Sequence, residues 1–119
     1  MVEGSPDIDL GQRTSQLLRG VLDMCLLALI SEEPSYGYEM VRKLEQRGLE
    51  LVSEGTIYPL LSRLQRRGLV ETYLAPSTGG PPRKYYRVTA HGRNVLGVWT
   101  SEWDDFRRSV DSVVEGGSS

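Results

Sequence analysis

At Gly68 the apolar residues of this chain change their spacing from three and four to two, which confines the fold to a helical body followed by a β-hairpin. Before that point Leu17, Leu18, Val21, Leu22, Cys25, Leu26, Leu29 and Ile30 recur at helical spacing, and Met24, Leu27 and Ala28 widen the apolar face. They predict one buried helix over residues 13–31. Glu32, Glu33 and Pro34 end it, because the residue before a proline is pushed out of helical geometry. Ser35 is placed to cap a second helix through Tyr38, Met40, Val41 and Leu44 to Arg47, with Gly48 as its stop and Leu49, Glu50 and Leu51 as a linker. A third helix carries Ile57, Leu60, Leu61 and Leu64 on one face, with Ser53 or Thr56 as its cap. Pro59 is compatible with both starts. It falls in the first turn if Thr56 caps, and crowds the carbonyl of Gly55, where backbone can yield, if Ser53 does.

Beyond Gly68, residues 69–74 alternate as a strand, Pro76 to Pro82 is a dense cluster of turn formers, and residues 83–88 read as a second strand. The expectation is a hairpin with an unpaired tip, and with one of Tyr85 and Tyr86 in the core and the other facing out. Thr89 caps a last helix running to about Glu115. The fold class expected is mainly α with a small β-hairpin: a winged helix-turn-helix domain over residues 13–89 plus a long C-terminal dimerisation helix over 90–115. A flexible arm over 1–12 and a disordered tail over 116–119 flank them.

Composition narrows the function. With 119 residues and 39% hydrophobic content there is material for one core. The sole cysteine, Cys25, lies in an apolar run and the sole histidine is His91, so neither a Cys-His nucleophile pair nor a Cys/His metal site can be assembled. No enzymatic activity and no cofactor are expected. A lone thiol in an apolar run points to a reducing compartment, the apolar stretches are too short to cross a bilayer, and the acidic residues 1–12 have the wrong sign for a signal peptide. Together these point to a cytoplasmic protein with no membrane partner.

The formal net charge is only −2, but it is unevenly spread. Between Ser62 and Val88 stand Arg63, Arg66, Arg67, Arg83, Lys84 and Arg87 against a single acid, Glu71. On the third helix the side opposite the leucines presents Glu54, Thr56, Tyr58, Ser62, Arg63 and Arg66, with Ser53 at its start. These are residue types that bond bases and phosphates in a major groove. Arg83 and Lys84, just after the hairpin tip, are placed to reach phosphates or the minor groove. A charged outer face alone also serves solubility; two basic elements that this fold makes neighbours favour double-stranded DNA as the partner. The competing reading is a winged-helix protein-interaction module without DNA binding.

In the last helix Leu96, Trp99, Trp103, Phe106, Val110 and Val113 are spaced three, four, three, four, three, the seam of a coiled coil. At about 39 Å the helix outruns the domain it leaves, so a homodimer is the simplest way to cover it. A dimer would also set two recognition helices about 34 Å apart, matching successive major grooves.

Three strings together resemble the PadR family of bacterial transcription regulators. They are Ser35-Tyr36-Gly37-Tyr38-Glu39, then residues 55–64 from Gly55-Thr56-Ile57-Tyr58-Pro59 to Leu64, then residues 79–89 from Gly79-Gly80-Pro81-Pro82-Arg83-Lys84 to Thr89. The resemblance spans residues 17–103. It implies a repressor that binds a palindromic operator as a homodimer and is released by a small molecule. It also implies that Tyr36, Tyr38, Thr56, Tyr58 and Arg63 face DNA, and that Arg83 and Lys84 belong to the wing. Some short members bind flat aromatic compounds between subunits, which would make Trp103, and Trp99 beside it, stacking plates for a planar aromatic effector. Pro81-Pro82 departs from the pattern, which commonly has a basic residue there; a stiffer, less charged wing tip is expected.

Overall fold

The computed structural model describes residues 5–50 and 52–116, with side chains from residue 12 onward. Five helices and three short strands follow in the order α1 (Ser5–Arg19), α2 (Leu22–Glu32), β1 (Ser35–Tyr36), α3 (Gly37–Gln46), α4 (Glu54–Arg66), β2 (Val70–Ser77), β3 (Gly80–Val88) and α5 (Ala90–Val114). This is the mainly helical winged-helix layout, with α3 and α4 as the helix-turn-helix and β2–β3 as the wing.

The first helix differs from the expectation. Residues 13–31 do not form one rod: the chain breaks at Gly20 and Val21, and the two segments are bent by 64°. The break gives α2 its own direction into the core, where Leu22, Leu26, Leu27, Leu29 and Ile30 are all buried. Helix α1 also starts at Ser5, so from there on the expected arm is helical backbone; residues 1–4, Leu51 of the linker and residues 117–119 of the tail lie outside the described residues.

The core is one cluster. Met40 and Leu44 of α3, Ile57, Leu61 and Leu64 of α4, Leu69, Val70 and Tyr86 close around α2, while Val95, Leu96 and Trp99 of α5 pack on its edge. At about 25 cal/mol per Å² of apolar surface removed from water, this burial is the main force holding the domain together.

Ser35 does not cap α3. It lies in β1, pairs with Tyr86, and is fully buried, its hydroxyl donating to the Glu33 carbonyl at 3.1 Å and accepting from Lys43 Nζ at 3.0 Å. Tyr36 takes the cap position, with its backbone N–H donating to the Glu39 carboxylate. The hairpin is thereby a three-stranded antiparallel sheet in the order β1-β3-β2. Its tip is also tighter than expected: pairing continues to Ser77 opposite Gly80, past an irregularity between Ala75 and Ser77, and Gly79 turns the chain at φ +70°. Proline is tolerated there because Pro81 and Pro82 lie beyond the stretch of β3 that β1 pairs with.

The α4–β2 and β3–α5 junctions are tied together. Thr89 accepts from the Gly92 amide at 2.9 Å to cap α5, and its hydroxyl donates back to the Gly68 carbonyl at 2.7 Å. Gly92 approaches Leu69 so closely that a methyl group there would overlap the Leu69 carbonyl oxygen.

Candidate nucleic-acid interface

Helix α4 begins at Glu54 with Ser53 in the cap position, which decides between the two starts the sequence left open. Pro59 is then an interior residue, and the carbonyl its ring crowds belongs to Gly55. Ser53 and Thr56 share a hydrogen bond of 3.0 Å between their hydroxyls and no side chain caps the helix; the Thr56 and Ile57 amides donate to the Ser53 carbonyl, at 3.1 and 3.3 Å. Ile57, Leu61 and Leu64 are buried below, which leaves Ser53, Thr56, Tyr58, Ser62, Arg63 and Arg66 exposed above.

Tyr58 is held rather than free. Its hydroxyl donates to the Glu54 carboxylate at 2.9 Å, and its ring lies against Gly37, where a Cβ would sit 2.8 Å from the phenol carbon. Partial burial, reinforced by the bond to Glu54, raises the Tyr58 pKa, so the phenol stays protonated. The start of α3 thus touches both α4 and the wing. Tyr58 of α4 rests on Gly37, and Arg83 of the wing lies over the Tyr36 ring at 4.6 Å.

Arg83 and Lys84 do not follow a loose tip. They sit in the ladder opposite Ala75 and Leu74, and strand alternation sends them to opposite faces: Arg83 to Tyr36, Lys84 toward Tyr86 at 5.7 Å. Tyr86 faces the core and is 4% exposed, while Tyr85 faces out. Tyr38 is exposed with Arg42 5.8 Å from its ring. Arg42 was missed as a candidate, although its i, i+4 spacing from Tyr38 on a helix was the signal for it. Among the described residues Arg63, Arg66, Arg83 and Lys84 form no ion pair, whereas Arg87 is held by Glu71 at 3.0 Å. Unpaired basic groups therefore stand on α4 and the wing, and Arg42 of α3 is another among the described residues.

The stripe on α5 divides in two. Leu96 and Trp99 pack on the domain's own core, and Trp103, Phe106, Val110 and Val113 are exposed, Phe106 by 63% and Val113 by 79%. Between this helix and α1–α2 runs an open cleft of about 1030 Å³, with Leu17, Val21 and Met24 on one side and Trp99, Trp103 and Phe106 on the other. Arg67, the C-cap of α4, lies 5.5 Å over the ring of Trp99, which lines the cleft.

The model of the transcriptional regulator PadR-like family matches residues 26–98, from the core of α2 into α5. The chain belongs to that family. A PadR-like regulator of Bacillus cereus is 44% identical, with 85% of this chain and 98% of that one covered, and superposes with a TM-score of 0.77. A PadR family regulator of Eggerthella lenta is 33% identical over 94% of this chain and 97% of its own, with a TM-score of 0.84. An uncharacterised protein of Lysinibacillus sphaericus is 34% identical over 104 residues, 95% of its length. PadR-like regulators are non-enzymatic DNA-binding proteins, and this one is a DNA-binding transcription regulator of that kind. Among the described residues, no group of three or more acidic, His or Cys side chains is placed to hold a metal, and no single helix is long and apolar enough to cross a membrane.

Proposed function

We propose that this PadR-like regulator is a cytoplasmic homodimeric repressor that grips a palindromic operator and releases it when a planar aromatic effector enters the cleft beside α5. The observation that carries the reading is the exposed half of the α5 stripe. Trp103, Phe106, Val110 and Val113 continue past the edge of the domain, and leaving large apolar side chains in water costs about 1.5 to 3 kcal/mol each compared with full burial. A second copy of the same helix covers them and places a second α4 one helical turn along the duplex. Ser53, Thr56, Arg63 and Arg66 then meet the major groove, Tyr38 and Tyr58 flank it, Arg83 and Lys84 belong to the wing, and Trp99 and Trp103 stack on the effector.

The test is a gel shift on the DNA upstream of its own gene at several salt concentrations. If the dimer neutralises about six phosphates, log K falls against log salt with a slope near −5. Arg63→Ala should weaken binding by about 1 to 3 kcal/mol. Binding that is absent or insensitive to salt leaves the protein-interaction module as the better reading. For the effector, Trp103→Ala should weaken a planar dye such as acridine orange about tenfold, followed by tryptophan quenching, with a smaller effect on DNA. Unchanged dye affinity would remove Trp103 from the site.

A further inference from the structure

Across the outer face of the sheet five side chains form one unbroken row. Arg83 lies over Tyr36 at 4.6 Å, Tyr36 meets Tyr85 edge-on at 5.3 Å, Tyr85 stacks on Tyr73 at 5.6 Å and 17°, and Arg87 lies over Tyr73 at 4.7 Å. The register dictates it: Tyr36 and Tyr73 both pair with Tyr85, one on each side of β3, and Arg83 and Arg87 stand two residues before and after Tyr85 on the same face. The two guanidinium groups differ in one respect. Arg87 is bonded to Glu71, whereas among the described residues Arg83 has no carboxylate partner and is held by an aromatic ring alone. Stacking occupies the face of a guanidinium and leaves its N–H donors in the plane free.

We propose that Tyr36 is a positioning residue for DNA binding: its ring, backed by Tyr85, holds Arg83 in the conformation that meets a phosphate. The tyrosine that resemblance places against DNA then acts through the wing. The gain is entropic, since a long side chain that is already ordered on a ring has less rotamer freedom to lose when it takes the phosphate. The inference rests on reading Arg83 as a DNA contact, and the experiment separates the two.

Intact protein carrying Arg83→Ala, Tyr36→Phe, Tyr36→Leu, or both Tyr36→Leu and Arg83→Ala is titrated with a 30-base-pair duplex between 50 and 200 mM salt, since phosphate contacts do not depend on sequence. Arg83→Ala should lower affinity about tenfold and flatten the salt slope by about one per bound subunit. Tyr36→Phe keeps the ring and should bind like the parent; Tyr36→Leu should reproduce most of the Arg83→Ala loss, including the flatter slope. The double variant should be no weaker than Arg83→Ala alone. Losses that multiply in the double variant, or a Tyr36→Phe protein as weak as Tyr36→Leu, would mean that the tyrosine touches DNA itself and would overturn the proposal. An Arg83→Ala protein with full affinity would overturn the underlying assignment of Arg83. Thermal melts check that Tyr36→Leu is folded, and the Phe variant decides the point if it is not.

Discussion

A protein carrying Phe106→Glu and Val110→Glu together should sediment as a single subunit and bind operator DNA at least about a hundredfold more weakly than the parent, because the second half-site is no longer tethered to the first. Both side chains are exposed, on the open cleft beside α1–α2 and outside the buried core, so the fold has little to lose by the exchange. Leu96 and Trp99, which do belong to that domain's core, are untouched. Two carboxylates per helix on a seam that would otherwise be apolar face two more across the interface, and like charges in that setting disfavour association. Sedimentation at several concentrations, beside a Ser101→Glu control, reads the result. A parent that is itself a stable single subunit, or a double variant that still pairs, would remove α5 as the dimer helix and with it the spacing argument for a palindromic site.

The largest loss of stability is expected at Gly92. In Gly92→Ala the new methyl group meets the Leu69 carbonyl oxygen and stands 2.9 Å from Val88 Cγ2, and the first of these is backbone that cannot swing aside. The same carbonyl accepts from the Thr89 amide at 3.1 Å, so moving the start of α5 away also strains the bonds that hold the cap. A loss of about 3 kcal/mol or more follows, at the upper end for overpacking. Gly97, five residues later in the same helix, is the opposite case. A Cβ there meets nothing within 4 Å, and Gly97→Ala should stabilise by about 0.5 to 1 kcal/mol through helix propensity and a less flexible unfolded chain. Urea denaturation of the two variants should therefore move the midpoint in opposite directions; movement in the same direction would show that the joint at Leu69 is not rigid.

Most of the architecture was legible because it rests on periodicity. The leucine face of α4, the Thr89 cap and the opposite facing of Tyr85 and Tyr86 follow from spacing alone, while the structure decides that Tyr86 is the inward one. What spacing could not show are features set by contact. A strand of two residues has no period, and β1 exists because buried Ser35 and Tyr36 find partners on β3, some fifty residues away. The break at Gly20–Val21 was hidden because Val21 and Leu22 continue the apolar pattern straight through it. The prolines and glycines of the wing resembled an open loop, although a ladder with a free side accommodates them. In the candidate site, residue types were readable but directions were not: Arg83 and Lys84 are neighbours in the chain and face opposite ways.

If the contact between Arg67 and Trp99 couples the cleft to α4, that coupling runs in both directions. If a molecule seated against that indole loosens the hold on the operator by some factor, the operator must loosen the hold on that molecule by the same factor, because the two equilibria form a closed cycle. A cell in which most copies are parked on chromosomal sites would then respond only at higher effector levels than the free protein suggests. The sensitivity of the switch would thus depend on how many sites the genome offers it.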